Sequence, residues 1–323
     1  MAGLKSRLSR ARPGRRKRAD DVARAREAKT RAKKMAHFER KVEALLRRMA
    51  IDSDTLPYPE RLLAQRFGIY SQNEEDGIIC ALLEEAGMST RAFVEIGCGR
   101  SGGNSGYLAR ELGFRGLMVD ATPRIDTTQA RFGSERVAVL REFVTAENVS
   151  DLIADHGLED EIDLLSIDID GNDLWIWNGV TNCSPRIVVM EYNASWGGER
   201  ALTIPYEPQF DRGEQAEELM GRFFGASLAA LVALGRNRGY RLVCTDPEGV
   251  NAFFLRSDVA PDIPELGLAA GFTDSERNQR LKSTGFDLVP TLDSLNVDYV
   301  DFDRAGIPPP GGTITSSGRV DDV

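Results

Sequence analysis

An apolar segment ending in an acid two residues before a glycine turn constrains this chain more than any other feature. Phe93-Val94-Glu95-Ile96 runs directly into Gly97-Cys98-Gly99-Arg100-Ser101-Gly102-Gly103. A strand that stops so abruptly needs glycine where the backbone turns, and positions 97 and 99 let the main chain approach a ligand that a Cβ would push away. The same stretch satisfies Gly-x-Gly-x-x-Gly at 97, 99 and 102, with Asp120 following 23 residues after Gly97, which is the spacing of a dinucleotide-binding unit. Alone, the motif points to a nucleotide-type cofactor and leaves an NAD-dependent oxidoreductase open.

The surrounding pattern supplies the fold. Ser71-Gln72-Asn73-Glu74-Glu75-Asp76 reads as the opening of a helix whose apolar face is Ile78, Ile79, Leu82 and Leu83. Strands are then expected at 92–96, 116–119, 137–144, 162–167 and 186–192, with helices at 104–112, 123–132, 146–154 and 173–179 between them. This rhythm builds an α/β domain with a doubly wound, mostly parallel sheet. A polar insertion, 193–225, precedes a helix over 226–238, a strand over 240–244, a short loop at Asp246-Pro247-Glu248-Gly249 and a returning strand over 250–255. The sheet is therefore seven-stranded with an antiparallel terminal strand.

Charge divides the chain. Residues 1–50 hold 18 Lys and Arg against 5 Asp and Glu, whereas the remainder holds 23 against 45. Residues 1–60 are read as a basic, helical tail that can touch nucleic acid or an anionic membrane surface. Met35, Phe38, Val42, Leu45, Leu46 and Met49 recur at helical spacing, and the blander reading packs that stripe on the body or on a second subunit of a homodimer. Residues 61–258 form the main domain. Residues 259–323, with Pro308-Pro309-Pro310-Gly311-Gly312 and a Ser, Gly and Asp-rich end, are expected to be a partly disordered appendage. No apolar run approaches the roughly 18 residues of a membrane span and no signal-like apolar segment opens the chain, so a cytoplasmic protein is expected. Four cysteines without a Cys-x-x-Cys pair suit reduced thiols, and two histidines, His37 and His156, leave little for histidine-based catalysis.

With these pieces assembled, the chain resembles class I S-adenosylmethionine-dependent methyltransferases, with a Rossmann-like sheet, and is most similar to the FkbM type. The resemblance runs from about Ser71 to Asp258. It rests on Ser71-Gln72-x-x-Glu75-Asp76-Gly77, Phe93-Val94-Glu95-Ile96-Gly97, Gly116-Leu117-Met118-Val119-Asp120-Ala121 and Leu164-Leu165-Ser166-Ile167-Asp168-Ile169-Asp170-Gly171-Asn172-Asp173. It implies an O-methyltransferase acting on a small-molecule or glycan hydroxyl: a saccharide, a glycolipid precursor or a secondary metabolite. It further implies that Glu95 meets the cationic amino group of S-adenosylmethionine and that Gly97 and Gly99 border its methionine part. Asp120, with Ala121 beside it, accepts hydrogen bonds from the ribose, and Thr145 and Glu147 lie near the adenine. The terminal hairpin and Glu95 weigh against the oxidoreductase. A methyltransferase-like binding module without activity is a third reading.

The acids that follow the 162–167 run carry the expected chemistry. At strand periodicity Asp168 and Asp170 point the same way at the carboxyl edge of the sheet. An aliphatic hydroxyl must lose its proton as it is methylated, and with histidine scarce a carboxylate among Asp168, Asp170 and Glu191 is the expected base. The alternative is that Asp170, Glu191 and Asn193 ligate Mg²⁺, which lowers the hydroxyl's pKa. In the insertion, Trp196 and Tyr206 are the expected aromatic contacts for an acceptor.

Overall fold

The computed structural model describes residues 52–316 and 320–322, with isolated positions between 26 and 46. The chain divides into two units, 1–50 and 51–323. In the first, the described positions are helical, and Met35, Phe38, Val42 and Leu46 are exposed. Leu45, Met49, His37 and the most basic stretch, residues 1–25, lie outside the described residues, so the nucleic-acid, membrane and homodimer expectations rest mostly on positions that are not described.

The second unit is built on the expected sheet. Its strands are β1 (Ala92–Ile96), β2 (Arg115–Val119), β3 (Val137–Leu140), β4 (Asp160–Ile167), β5 (Cys183–Glu191), β6 (Tyr240–Thr245) and β7 (Asn251–Arg256). The spatial order is β3-β2-β1-β4-β5-β7-β6. All neighbours from β3 to β5 pair in parallel, while β7 runs antiparallel to both β5 and β6. The strand that ends the domain in sequence is thus second from the edge in space, because the short Asp246–Gly249 turn folds it back between β5 and β6.

Alternation along the strands explains why helices cover both faces. Val94, Leu117, Leu165, Val188 and Phe254 join one buried cluster. Their neighbours Phe93, Met118, Leu164, Ile187 and Phe253 join another on the opposite face. Helix α1 (Glu75–Ala86) places Ile78, Ile79 and Leu82 in the second cluster, and α2 (Asp173–Gly179) places Leu174, Trp175 and Trp177 in the first. Each such large side chain contributes roughly 1.5–3 kcal/mol by leaving water.

Three differences from the sequence-based expectation matter for the site. Helix α1 starts at Glu75, four residues later than Ser71, yet the Ser71 hydroxyl still accepts the first-turn N–H of Asp76 at 3.0 Å; the buried Asp76 carboxylate in turn accepts the N–H groups of Ile69 and Tyr70 at 2.6 and 2.7 Å, folding the 69–73 loop inward. Strand β3 stops at Leu140, because its partner β2 ends opposite it at Val119, and the 141–144 stretch is released to the rim of a cleft. Residues 259–316 are built into the body. Leu288 and Leu292 join Trp196, Leu202, Ile204 and Leu219 in a third apolar cluster, and Leu202–Thr203 pairs with Val300–Asp301. The proline run is tied down by the Asn178 side-chain amide, which donates to the carbonyls of Pro309 and Gly312, each at 2.7 Å. Residues 317–319 and 323 lie outside the described residues.

Candidate active site

The carboxyl ends of β1 and β4 meet where the strand order reverses, the place at which open α/β sheets bind ligands. Asp168 N–H donates to Ile96 O at 2.9 Å, so the two chains leave the sheet in contact, while Gly97 N–H donates to Val119 O at the end of β2 at 2.8 Å. Gly97, at φ +89°, packs so closely that a Cβ would lie 1.7 Å from the Asp168 carbonyl oxygen. Gly99, at φ +54°, has nothing within 4 Å in the direction of a Cβ, leaving its backbone open. The glycine pair therefore has two jobs: position 97 permits the strand crossing and position 99 exposes main chain to a cavity of about 570 Å³.

Asp120 and Ala121 at the end of β2 line this cavity. The Asp120 carboxylate accepts Gly99 N–H at 2.9 Å through one oxygen, and the N–H and hydroxyl of Thr122 at 2.7 and 2.6 Å through the other. Two carboxylate oxygens offer about four acceptor sites, so capacity remains for a ligand hydroxyl. Beyond β3 it is Glu142, Phe143 and Val144 that form the wall. Thr145 and Glu147, the expected adenine neighbours, do not line the cavity: Thr145 exchanges hydrogen bonds with Asn148, and Glu147 accepts the hydroxyl of Tyr206. The strand's early end shifts the rim toward residue 142.

Glu95 is fully buried and lies in the wall of neither cavity described here. Its carboxylate accepts Asn104 N–H at 3.1 Å, Ser105 hydroxyl at 2.6 Å and Ser166 hydroxyl at 3.2 Å. Burial raises its pKa from 4.5 to about 7 against these hydrogen bonds. The structure thus gives Glu95 a role in joining β1, β4 and the turn after Gly102.

A second cavity, of about 540 Å³, adjoins the first, and Asp168, Asp170 and Arg212 line both. Asp168 and Glu191, on the ends of the adjacent parallel strands β4 and β5, are hydrogen-bonded to each other. Burial, followed by the charges of their acidic neighbours, raises both pKa values. Glu191 Oε2 is buried with no donor facing it, the setting of a carboxyl group that carries its own proton. Asp173, buried at the start of α2, fastens the turn by accepting Ile169 N–H at 2.7 Å and Gly171 N–H at 2.8 Å.

Asp170 departs from the expected strand periodicity. Strand β4 ends at Ile167 and Asp170 adopts φ +58°, so its carboxylate turns outward into an ion pair with Arg212. That guanidinium also donates to Gly221 O at 2.9 Å and sits 3.7 Å from the Phe224 ring centroid. Asn193 is likewise engaged. Its oxygen accepts Ser195 N–H at 3.0 Å and Arg222 Nη2 at 2.9 Å, while its amide nitrogen donates to the carbonyls of Arg222 and Phe224. A Mg²⁺ ion held by Asp170, Glu191 and Asn193 would have to displace two arginines, and among the described residues no cluster of three or more His, Cys, Asp or Glu side chains is placed to hold a metal.

Both aromatic candidates are packing residues. Trp196 is buried with its indole N–H on Phe224 O at 3.0 Å, and buried Tyr206 accepts Ala146 N–H at 3.1 Å. The residues that sequence reasoning missed are Gln72, Asn73, Arg212, Arg222 and Arg277 in the second cavity and Asn172, Phe143 and Phe210 in the first. The conjunction of Asp76 with the preceding loop offered one signal, since a buried acid there must gather backbone donors and thereby aim Gln72 and Asn73.

No family model matches the sequence, and no curated protein matches it. Among solved structures, the chain is similar to an O-methyltransferase from Bacillus cereus in complex with SAH, at 16% identity and a TM-score of 0.37, covering 67% of this chain and 88% of that one. It is similar to the N-terminal domain of EvdMO1 in the presence of SAH and D-fucose at 12% identity and a TM-score of 0.36, covering 57% and 83%. For the mitomycin 7-O-methyltransferase MmcR the values are 18%, 0.32, 56% and 53%. Likenesses this distant add nothing to the fold that the strand order establishes and carry no argument about chemistry. No described helix is long and apolar enough to cross a membrane.

Proposed function

We propose that this chain is an S-adenosylmethionine-dependent O-methyltransferase of the FkbM type, acting in the cytoplasm on a hydroxyl of a saccharide, glycolipid precursor or secondary metabolite. One observation carries the reading: two cavities at the sheet's switch point share a wall at Asp168 and Asp170, and the Asp168–Glu191 pair stands at that wall. A donor in one cavity and an acceptor in the other would then face each other across a proton acceptor.

The larger cavity suits the cofactor chemically. Gly99 exposes backbone, Asp120 retains acceptor capacity for ribose hydroxyls, and Asn172 Oδ1 is buried in the wall without a partner, ready for a ligand N–H. Gly97, Ala121, Phe143 and Val144 would complete the enclosure. S-adenosylmethionine, when bound, supplies an electrophilic methyl group on a sulfonium.

The chain's own part is alignment and proton removal. Like charges in a dry site do not both ionise readily, so Asp168 and Glu191 hold one proton between them over a range where ordinary carboxylates hold none. The ionised member accepts the hydroxyl proton as the new oxygen–carbon bond forms. The retained proton keeps the net negative charge beside the acceptor low. Arg212 neutralises Asp170 and closes the boundary between the cavities.

Calorimetric titration with S-adenosylhomocysteine and, separately, with NAD tests the reading without knowledge of the acceptor. Micromolar binding of S-adenosylhomocysteine alone supports it. Binding of NAD alone overturns it in favour of an oxidoreductase, and binding of neither transfers the weight to a non-catalytic module.

A further inference from the structure

Arg222 is a buried cation without an acid partner. Only 6% of it is exposed, yet no carboxylate lies within ion-pair distance among the described residues. Its guanidinium is held by neutral oxygens, Nε donating to Ser195 Oγ at 2.7 Å and Nη2 to Asn193 Oδ1 at 2.9 Å, with the Phe224 ring centroid 5.3 Å away. A buried charge compensated only by neutral dipoles is costly unless an anion completes the site.

The second cavity shows where that anion fits. Arg222 lines it together with Arg277, which is exposed and whose guanidinium makes no hydrogen bond or ion pair among the described residues. The two cations are close enough that Arg277, after burial itself, is the main cause of a fall in the Arg222 pKa to about 10. The nearby acids are otherwise occupied: Asp170 by Arg212, Glu276 by Arg280, and Asp168 and Glu191 by each other. Glu248 is exposed at the rim. The cavity wall therefore carries two guanidinium groups that belong to no ion pair, alongside Asp168 and Glu191; the charges of Glu191 and Asp170 act on Arg222 without reaching ion-pair distance.

The geometry points to an anionic acceptor: a hydroxyl compound whose carboxylate or phosphate seats against Arg222 and Arg277 while its hydroxyl reaches Asp168 and Glu191. This rests on the methyltransferase reading for the meaning of the carboxylate pair, and it adds the charge class of the substrate. Guanidinium groups bind both oxyanions through paired N–H donors, so the shared chemistry is the oxyanion.

The test titrates D-glucuronate, D-glucose 6-phosphate and D-glucose into the protein, with and without S-adenosylhomocysteine, and repeats the series on Arg277→Gln and on the control Arg280→Gln. The expected result is that at least one charged sugar binds about tenfold or more tighter than glucose, that Arg277→Gln removes the preference, and that S-adenosylhomocysteine affinity is unchanged in that variant. Glucuronate alone identifies a carboxylate, and the phosphate ester alone a phosphate. Equal binding of all three sugars, no binding of either charged sugar, or a preference that survives Arg277→Gln overturns the proposal. Failure of S-adenosylhomocysteine to bind while the Arg277-dependent preference persists removes the methyltransferase reading and leaves the oxyanion site standing.

Discussion

Replacing Glu95 with Gln isolates the electrostatic cost of an acid inside the sheet. Glu95 is fully buried, accepts three hydrogen bonds and holds its proton up to about pH 7 instead of 4.5. Below the lower value both folded and unfolded chains carry the proton and ionisation costs nothing. As pH rises through the window, the unfolded chain releases the proton while the folded chain keeps it, so stability falls; above about 7 the loss is complete. At about 1.4 kcal/mol per pKa unit, the rise corresponds to roughly 3 kcal/mol. Glutamine keeps the shape and an acceptor oxygen for Asn104 N–H and the Ser166 hydroxyl, and its amide can donate to the Ser105 hydroxyl. Glu95→Gln should therefore gain on the parent chain by about 2–3 kcal/mol between about pH 5 and pH 8. Urea unfolding followed by the fluorescence of the buried Trp175, Trp177 and Trp196 reads this difference. Other buried acids are present in both proteins and largely cancel, except Asp168, whose pKa Glu95 also raises and whose relief adds in the same direction. Parallel stability curves would refute the reasoning: they would mean that the three hydrogen bonds outweigh burial and that Glu95 is ionised throughout.

Further outcomes follow from the site and from the third apolar cluster. Asp120→Ala should weaken S-adenosylhomocysteine binding by about 1–3 kcal/mol in calorimetry, the range for lost hydrogen bonds to a charged group; unchanged affinity rejects the ribose role. Glu191→Gln should lower methyl transfer by about 100-fold or more once an acceptor is found. In the parent chain turnover should rise with pH as the Asp168–Glu191 pair loses the first of its two protons and one member becomes the base, and chelator should leave it unaffected; chelator-sensitive turnover restored by Mg²⁺ would revive the metal reading. Leu292→Ala should destabilise unfolding in urea by about 2–5 kcal/mol, as truncation of a fully buried leucine does, whereas a change of a few tenths would mean that residues 288–295 are a detachable appendage.

The fold was largely legible because its signals are local. The period-two alternation of Phe93-Val94 or Leu164-Leu165 assigns neighbours to opposite faces whatever their partners, and the two separate core clusters are that alternation made three-dimensional. What was not legible depends on non-local partners. The end of β3 is decided by where β2 stops, and Leu288 and Leu292 acquire a core only when Trp196, Leu202 and Ile204 meet them from nearly a hundred residues earlier. The same division runs through the candidate site. Gly97, Gly99 and Asp120 stand at the cleft because strand ends and glycine turns put them there. Asp170 swings outward because a left-handed residue follows the strand, and the aromatic pair Trp196 and Tyr206 turns inward because buried carbonyls and amides need its polar atoms.

Arg222 marks the limit of sequence reading more sharply than any of these. In the 193–225 segment it is one arginine among several, with no spacing that separates it from a solvated surface cation. Only the fold wraps it in Asn193, Ser195 and Phe224 and leaves it without an acid, and a cation in that position has a chemical meaning that its letter in the sequence does not. The carboxylate pair is the complementary case: Asp168 and Glu191 were visible as acids, but their hydrogen bond and their mutually raised pKa values follow from β4 and β5 lying side by side. On the proposed reading, the acceptor seats its oxyanion on Arg222 and Arg277 and brings its hydroxyl to Asp168 and Glu191. That reading makes the spacing between oxyanion and hydroxyl decisive, so shortening it in a ligand series should lose methyl transfer before it loses binding.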